Sequence, residues 1–578
     1  MSTIRNLTEV NTKVTPQTEK ILGSSQVANS AGGFSWAVSK WDQLARFLIL
    51  GTQGGIYGTY YASQKALTAK NAECLLELVA EDGLRVVRTI VEISEGGRAP
   101  KNEPAIYALA LCCKKGNEET KRAAYQAMPR VCRIGTHLFQ FVEAIKAFGG
   151  ISSGTQRAIA RWYQGADATE ALGACETDDD AECVVDELNR HPQWLAYQAI
   201  KYQNREGWSH RDVLRLAKPG AKGRKAVRVP ATDAVLDWIT QGIVSEDAPL
   251  LLQAFEQAKA VGVASDQVTT QGITTLTRLI SDHNLPRECV PTHYLNNVEI
   301  WEALLDNGGR GMPLTAMVRN LGKMSSVGLF KQGDSVTKVA TTLGDQDTLR
   351  RARVHPLALL VALNTYSLGR GVKGSNTWDV NNHITSALDK AFYLSFGNVE
   401  KTNKRYMLAL DVSGSMGCGE VAGMAGISPR VGSVAMSMIT GAVEPLCCTV
   451  GFTGGPDCVR PLAIDPATKL PAAISQVDHL PFGSTDCAAP MRWALKKNLE
   501  IDMFIVYTDS ETYAGSPHSS QALAQYRTKT GINAKLVVVG MVSNGFTIAD
   551  PTDKGMLDVV GFDLATPQLI SNFALGRF

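Results

Sequence analysis

The sequence predicts a two-part fold: a long α-helical repeat array followed by an α/β doubly wound domain. Three observations carry the prediction. From about Trp36 to Phe396, apolar residues recur at three- and four-residue spacing, as in Leu44, Phe47, Leu48 or Leu75, Leu76, Leu78, Val79. Near Lys401 the pattern changes to short apolar runs rich in Val, Ile and Leu. One of these runs ends in Asp411-Val-Ser413-Gly-Ser415, which sets a carboxylate and two hydroxyls at alternate positions.

Composition frames both parts. The chain has 578 residues, 44% hydrophobic and 20% charged, as a folded protein does. At roughly 150 residues per domain, three or four domains are the first expectation, with two large ones also compatible. The net charge of +2 excludes binding of polyanions through bulk charge, but not a basic face balanced by an acidic one. No run of about 18 apolar residues occurs, so no membrane partner is expected. Met1 to Lys20 lacks the apolar core of a signal peptide. The 12 cysteines include the adjacent pairs Cys112-Cys113 and Cys447-Cys448 but no CxxC pairs. Free thiols in a reducing compartment follow, rather than structural zinc. The expected location is cytoplasmic, with the nucleus added for a eukaryotic source.

In chain order, residues 1–30 are rich in Thr, Ser and Asn and read as a flexible arm. Residues 31–400 read as helix after helix, punctuated at Gly96-Gly97, Pro100, Gly149-Gly150, Pro219-Gly220, Pro286 and Pro291. Helices of about 12–18 residues on short turns suit stacked pairs, as in HEAT-type solenoids, with a compact bundle as the alternative. Residues 401–578 form the α/β domain. Its strands are expected at Arg405–Asp411, Leu446–Phe452, Met503–Asp509 and Ala534–Gly540, buried on both faces of a parallel sheet. Its helices are expected at Val431–Val443, Cys487–Lys497 and Ser519–Thr530.

Ligands of such sheets sit at the carboxyl ends of the strands. Asp411, Ser413 and Ser415 occupy one such end, Asp509 in Thr508-Asp-Ser-Glu511 a second, and Gly483-Ser-Thr485-Asp486 supplies a hydroxyl before a helix. Hard oxygen ligands suit a small divalent cation. In this order the three elements resemble the metal-ion-dependent adhesion site of von Willebrand factor A domains. The resemblance implies that Asp411, Ser413, Ser415, Thr485 and Asp509 are the ligands, some through water. It also implies an open coordination position for a partner's acidic oxygen, such as that of an acidic protein ligand. Mg²⁺ is the expected ion, with Mn²⁺ and Ca²⁺ as alternatives. The competing explanation is that the serines cap a helix and the acids end strands by coincidence. A hydrolase with Asp411 as nucleophile would want an acid at position 413, and only Glu511 offers a nearby base. The Gly-rich stretch 417–429 is placed to reshape or cover the site.

Basic residues cluster between Arg122 and Arg228. Arg133 and His137, Arg157 and Arg161, Lys201 and Arg205, and Arg211 and Arg215 are each four apart, so each pair would share a helix face. Trp162, Tyr163, Tyr202 and Trp208 are interleaved, and Lys218, Lys222, Arg224, Lys225 and Arg228 follow. Cations neutralise phosphates and aromatics stack on unpaired bases, although solvated helix faces and core aromatics fit as well. The acidic run Glu176 to Asp180, with Glu182, Asp186 and Glu187, offsets this charge and reads as a surface insertion.

Longer stretches resemble the Ro 60-kDa ribonucleoprotein family, the SS-A/Ro autoantigen and its bacterial relatives. They are Leu44-Ala-Arg-Phe-Leu48 with Gly54-Gly55, Cys132-Arg-Ile-Gly-Thr-His-Leu-Phe139, Lys201-Tyr-Gln-Asn-Arg205-Glu-Gly-Trp-Ser-His210, Met312 to Met324, Arg353-Val-His-Pro356 and Ser543 to Pro551. The resemblance runs from about Gly33 to the C-terminus. It implies a TROVE module, HEAT-like repeats bent into a ring, closed by a von Willebrand A domain. It implies a non-enzymatic, monomeric RNA-binding protein of a small ribonucleoprotein, with Y RNAs on an outer basic surface. Single-stranded 3′ ends of misfolded noncoding RNAs would thread the ring, in RNA quality control and stress survival. Lys201, Arg205 and His210 match the family's RNA-binding segment. Ala217-Lys218 departs from it where animal members carry His. The rival expectation is a metal-dependent protein-interaction adaptor with the helices as scaffold.

Overall fold

A computed structural model describes residues 14–577, except 52–72, 166–177, 218–228, 265–266, 332, 372–374, 398, 422–425, 466–467, 479 and 481–482. Gly54-Gly55, Pro219-Gly220, Lys218 and the basic residues from Lys222 to Arg228 therefore lie outside the described residues, as do Glu176 and residues 1–13.

The helical part owes its elements to local signals. In helix Ser153–Gln164, Ser152 accepts a hydrogen bond from Thr155 N, and Gly165 ends the helix at φ +74°. One face buries Thr155, Ala158, Ile159, Trp162 and Tyr163, leaving the arginines outside. Helix Pro356–Ser367 starts with Pro at its first position and is apolar almost all round, as a helix packed on several sides must be. The long helix Glu73–Glu95 is broken at Asp82, whose backbone is non-helical. Most helices pack on others one to three places away in sequence, the local arrangement of a repeat array.

Both ends of the array meet the α/β domain. At the start, Arg46 in helix Lys40–Leu50 is 1% exposed. Its guanidinium donates to Asn544 O (3.1 Å), Asn544 Oδ1 (3.2 Å), Phe546 O (3.0 Å) and both oxygens of Asp558 (2.8 and 2.6 Å). Arg98 makes a two-point pair with Asp563 (2.9 and 2.5 Å). At the far end, His355 Nε2 lies 3.1 Å from Arg98 O and 2.9 Å from Phe562 O, while Nδ1 accepts from Leu357 N at 3.1 Å. Two carbonyls at Nε2 and an N–H at Nδ1 admit only the neutral ring protonated at Nε2. His355 thus joins the early helices, the late helices and the α/β domain at one point, and the array closes through that domain.

The α/β domain holds a six-stranded sheet in the order Met556–Val560, Lys535–Gly540, Met503–Thr508, Tyr406–Asp411, Cys447–Phe452, Val459–Leu462. The first five strands are parallel; Val459–Leu462 is an antiparallel edge strand. Alternation divides the strand residues between two cores. Tyr406, Leu408 and Leu410 join a core continuous with the helical array, together with helices Pro429–Val443 and Leu470–Asp478. Met407 and Ala409 face a second core, against helices Ala489–Lys496 and Ser519–Thr530. Helices on both faces make the sheet doubly wound. Each large aliphatic side chain so buried stabilises the fold by roughly 1.5–3 kcal/mol.

The predicted flexible arm is corrected over its described part. Val27–Ala28 pairs antiparallel with Phe34–Ala37, which pairs with Phe546–Thr547 of the α/β domain. Gln17, Gln26 and Asn29 are buried, which polar residues tolerate because each finds hydrogen-bond partners. The acidic residues from Asp178 on fall in helix Asp178–Lys201. The described cysteines are all free thiols, as expected.

Candidate functional site

The buried strand Tyr406–Asp411 delivers Asp411 to its carboxyl end, and the adjacent parallel strand Met503–Thr508 delivers Asp509 one residue past its own end. Asp411 Oδ1 accepts from Ser413 N (2.9 Å) and Oδ2 from Thr508 Oγ1 (2.7 Å). Ser413 Oγ and Ser415 Oγ lie 3.1 Å apart, and Asp509 Oδ1 accepts from Glu511 N (3.0 Å). Arg430 Nη2 donates to the carbonyls of Val412 and Ser413, both at 3.1 Å, and so holds the loop from behind. Thr485 is buried, and its carbonyl accepts from Tyr513 N (3.2 Å), Ala514 N (2.9 Å) and Thr512 Oγ1 (3.3 Å). The three sequence elements therefore converge. The Gly-rich stretch packs inward through Met416, Val421 and Ile427, with Val421 N bonded to Ile427 O at 2.8 Å.

Asp411 and Asp509 are 0% and 1% exposed. Among the described residues neither forms an ion pair with Lys or Arg, and Asp509 Oδ2 has no hydrogen-bond partner. Burial raises both carboxyls above the ordinary range, and the charge of Asp509 raises Asp411 further. Two buried carboxylates, two neighbouring hydroxyls and an oxygen without a donor fit a hard divalent cation.

The basic residues divide. Arg157 and Arg161 are exposed on one face of helix Ser153–Gln164, and Arg211 and Arg215 on one face of helix His210–Ala217, as spacing predicts. The other two pairs are corrected. Lys201 is the last residue of its helix, and Arg205 stands in a hairpin of Asn204–Arg205 with Trp208–Ser209. The turn, Glu206-Gly207 with φ of 52° and 78°, breaks the helical register between them. Arg205 remains exposed, while Lys201 Nζ bonds Tyr197 OH (2.7 Å) above the Tyr197 and Tyr202 rings. Arg133 lies before helix Gly135–Ala147, not on it, and donates to Ser94 Oγ (2.9 Å) and Arg130 O (2.8 Å). His137 contacts Asn102 Nδ2 (3.3 Å); burial, and then the Arg133 charge, depress its pKa to about 3.

His210 is a core residue, not a surface one. It is 3% exposed, stacks on Trp162, meets Phe139 edge-on and bonds Tyr163 OH at 2.8 Å; burial lowers its pKa to about 4. Trp162 and Tyr163 are likewise core, while Trp208 and Tyr202 are half-buried. Lys218 lies outside the described residues. Sequence reasoning does not single out Arg46, Arg98 or His355, the residues that join the two parts. Arg46 and His355 stand in stretches that carry the family resemblance, but only their distant partners reveal the role.

The fold and the site define a helical-repeat protein whose ends are closed by an α/β domain carrying a buried cluster of hydroxyls and carboxylates. The TROVE domain family matches residues 27–248 and 278–365, and the Ro60 vWA domain family matches residues 405–574. The chain is 40% identical over 575 residues to the RNA-binding protein RO60 of Deinococcus radiodurans, covering 99% of each. It is 34% identical over 631 residues to the RNA-binding protein RO60 of Caenorhabditis elegans, covering 98% of this chain and 92% of that one. The crystal structure of the Deinococcus radiodurans RO (RSR) protein matches with a TM-score of 0.64 at 37% identity, covering 93% of this chain and 100% of that one. The chain belongs to the Ro60 family.

Proposed function

We propose that this chain is a non-enzymatic RNA-binding protein of a small ribonucleoprotein. Its partners are Y RNAs, or small RNAs of the same kind, and the single-stranded 3′ ends of misfolded noncoding RNAs, in RNA quality control. The observation that carries the reading is the row of exposed arginines, Arg157, Arg161, Arg205, Arg211 and Arg215, in a chain whose relatives are named RNA-binding proteins. Arginines spread over two helices and a hairpin suit phosphates along an RNA backbone, which gives affinity without base specificity. A loop of helices closed at both ends selects strands by width, since a duplex is thicker than a single strand. The protein works as a monomer in the reducing cytoplasm, in keeping with its free thiols.

In the same reading the cradle of Asp411, Ser413, Ser415, Thr485 and Asp509 holds a divalent cation, Mg²⁺ first among them. The bound ion would supply a Lewis-acidic position for a partner's acidic oxygen; the protein's own hydroxyls and carboxylates orient it. A gel-shift series with structured RNAs, with and without a single-stranded 3′ tail, tests the reading. Tailed RNAs should bind more tightly, and equal affinity for tailless RNA would sink the threading step.

A further inference from the structure

The N-terminal segment bonds both loops that carry Thr485 and Asp509. Gln17 is 0% exposed. Its Nε2 donates to Asp486 Oδ1 at 2.7 Å, next to Thr485, while its Oε1 accepts from the hydroxyl of Thr512, beyond Asp509. Gln17 N bonds Gly515 O (3.1 Å), Asn29 Nδ2 donates to Thr512 O (2.7 Å), and Ser35 Oγ donates to Ser510 O (3.1 Å). Gly33 is pressed so close that an added Cβ would meet Thr512 O at 2.0 Å. Only glycine permits this approach.

Glu511 lies where this strap meets the cradle. It is 2% exposed, and its Oε2 accepts from Ser30 N (2.9 Å) and Ala31 N (3.2 Å). Its other oxygen, Oε1, has no hydrogen-bond partner, like Asp509 Oδ2 two residues earlier. Three acids are thus buried together, and two of them keep an oxygen without a donor. Among the described residues, Glu511 forms no ion pair.

We propose that Glu511 and Gln17 are positioning residues of the cation site, through which cation binding and strap docking stabilise each other. The inference rests on the cation reading of the cradle. Its physics is linkage. The strap's two N–H groups fix the Glu511 side chain two residues from Asp509, where its charge adds negative potential beside the ion. The ion in turn offsets the repulsion among Asp411, Asp509 and Glu511, and so steadies the loop that the strap's N–H groups bond. Gln17 fixes the spacing of the Thr485 and Asp509 loops by bonding both. Coupling of this kind is reciprocal, so each partner must tighten the other by the same factor.

The test uses the full-length chain and Mn²⁺ as probe, followed by electron paramagnetic resonance of the free ion and by hydrogen exchange. Glu511→Gln and Gln17→Ala should each weaken Mn²⁺ binding by roughly fivefold or more. Glu511→Asp should recover part of the loss, which a purely structural role would not predict from a shorter side chain. In the unaltered chain, Mn²⁺ should slow exchange at the Ser30 and Ala31 amides by a similar factor, and it should not do so in Asp411→Ala. Unchanged Mn²⁺ affinity in both variants, or strap exchange indifferent to Mn²⁺, overturns the coupling while the cation site stands. No Mn²⁺ uptake by the unaltered chain overturns the cation reading and the coupling with it.

Discussion

Arg46→Met tests what closes the helical array. Arg46 is 1% exposed and its guanidinium spans Asn544, Phe546 and Asp558. Burial pushes the Asp558 carboxyl above its ordinary range, and Arg46 opposes that shift only in part. Methionine keeps most of the side-chain volume but strands Asp558 and leaves three oxygens on Asn544 and Phe546 without their donor. Removing one member of a buried pair costs about 3–5 kcal/mol. The double variant Arg46→Met with Asp558→Leu removes the stranded charge and should retain only about 1–3 kcal/mol for the unbonded oxygens. The penalty in the single variant should also shrink toward pH 4. Burial holds the folded Asp558 carboxyl above its ordinary range, so on acidification it takes up a proton before the unfolded chain does and no longer needs a counter-charge. Hydrogen exchange at residues 546–547 and 556–560 reads the loss locally, which suits a chain of two parts that need not unfold in one step. A loss below about 1 kcal/mol in the single variant, or additive losses in the double, would refute the role assigned to the pair.

His355 should make the closure acid-sensitive. Its folded pKa, held near 4 chiefly by burial, lies below the ordinary 6.5. The unfolded chain therefore binds the extra proton first, and stability falls as pH drops from 6.5 to about 4, by at most about 1.4 kcal/mol per pH unit. An NMR titration placing His355 at 6 or above would contradict this. Arg205→Glu combined with Arg211→Glu should weaken RNA binding broadly, and should lower the salt slope by about one for each phosphate left without its arginine; an unchanged slope in filter binding would count against that surface. Asp411→Ala should abolish Mn²⁺ uptake measured by calorimetry, and an unaltered isotherm would move the ion elsewhere.

Four of the six sheet strands are legible nearly to the residue, because short aliphatic runs buried on both faces leave little ambiguity, whereas Met556–Val560 is not singled out in the sequence. Helix Ser519–Thr530 has its predicted bounds, set by Gly531 at its end. The antiparallel edge Val459–Leu462 escapes prediction: it is half exposed, and its Val-Arg-Pro-Leu composition carries little strand signal. The hydroxyl-and-carboxylate cluster is legible because Asp411 and Asp509 each follow a strand end. The basic surface is legible only in part. Four-residue spacing implies a shared face only while the helix continues, and it stops at Lys201 and begins after Arg133. His210 and Trp162 look alike in sequence whether they face RNA or each other. The strap reads as an arm in sequence because Gln17 and Asn29 find their partners more than 450 residues away.

If the proposed threading holds, the shared junction of Arg98, His355 and Phe562 bears on how long a guest stays as well as on which guest enters. A strand lying in an open groove escapes sideways whenever its contacts break. A strand passed through a closed hoop can leave only lengthwise, like the axle of a rotaxane. Its dwell time is then set by the girth of the folded knot at its far end, and by how often the His355 clasp springs open, rather than by the sum of its attractions to the wall.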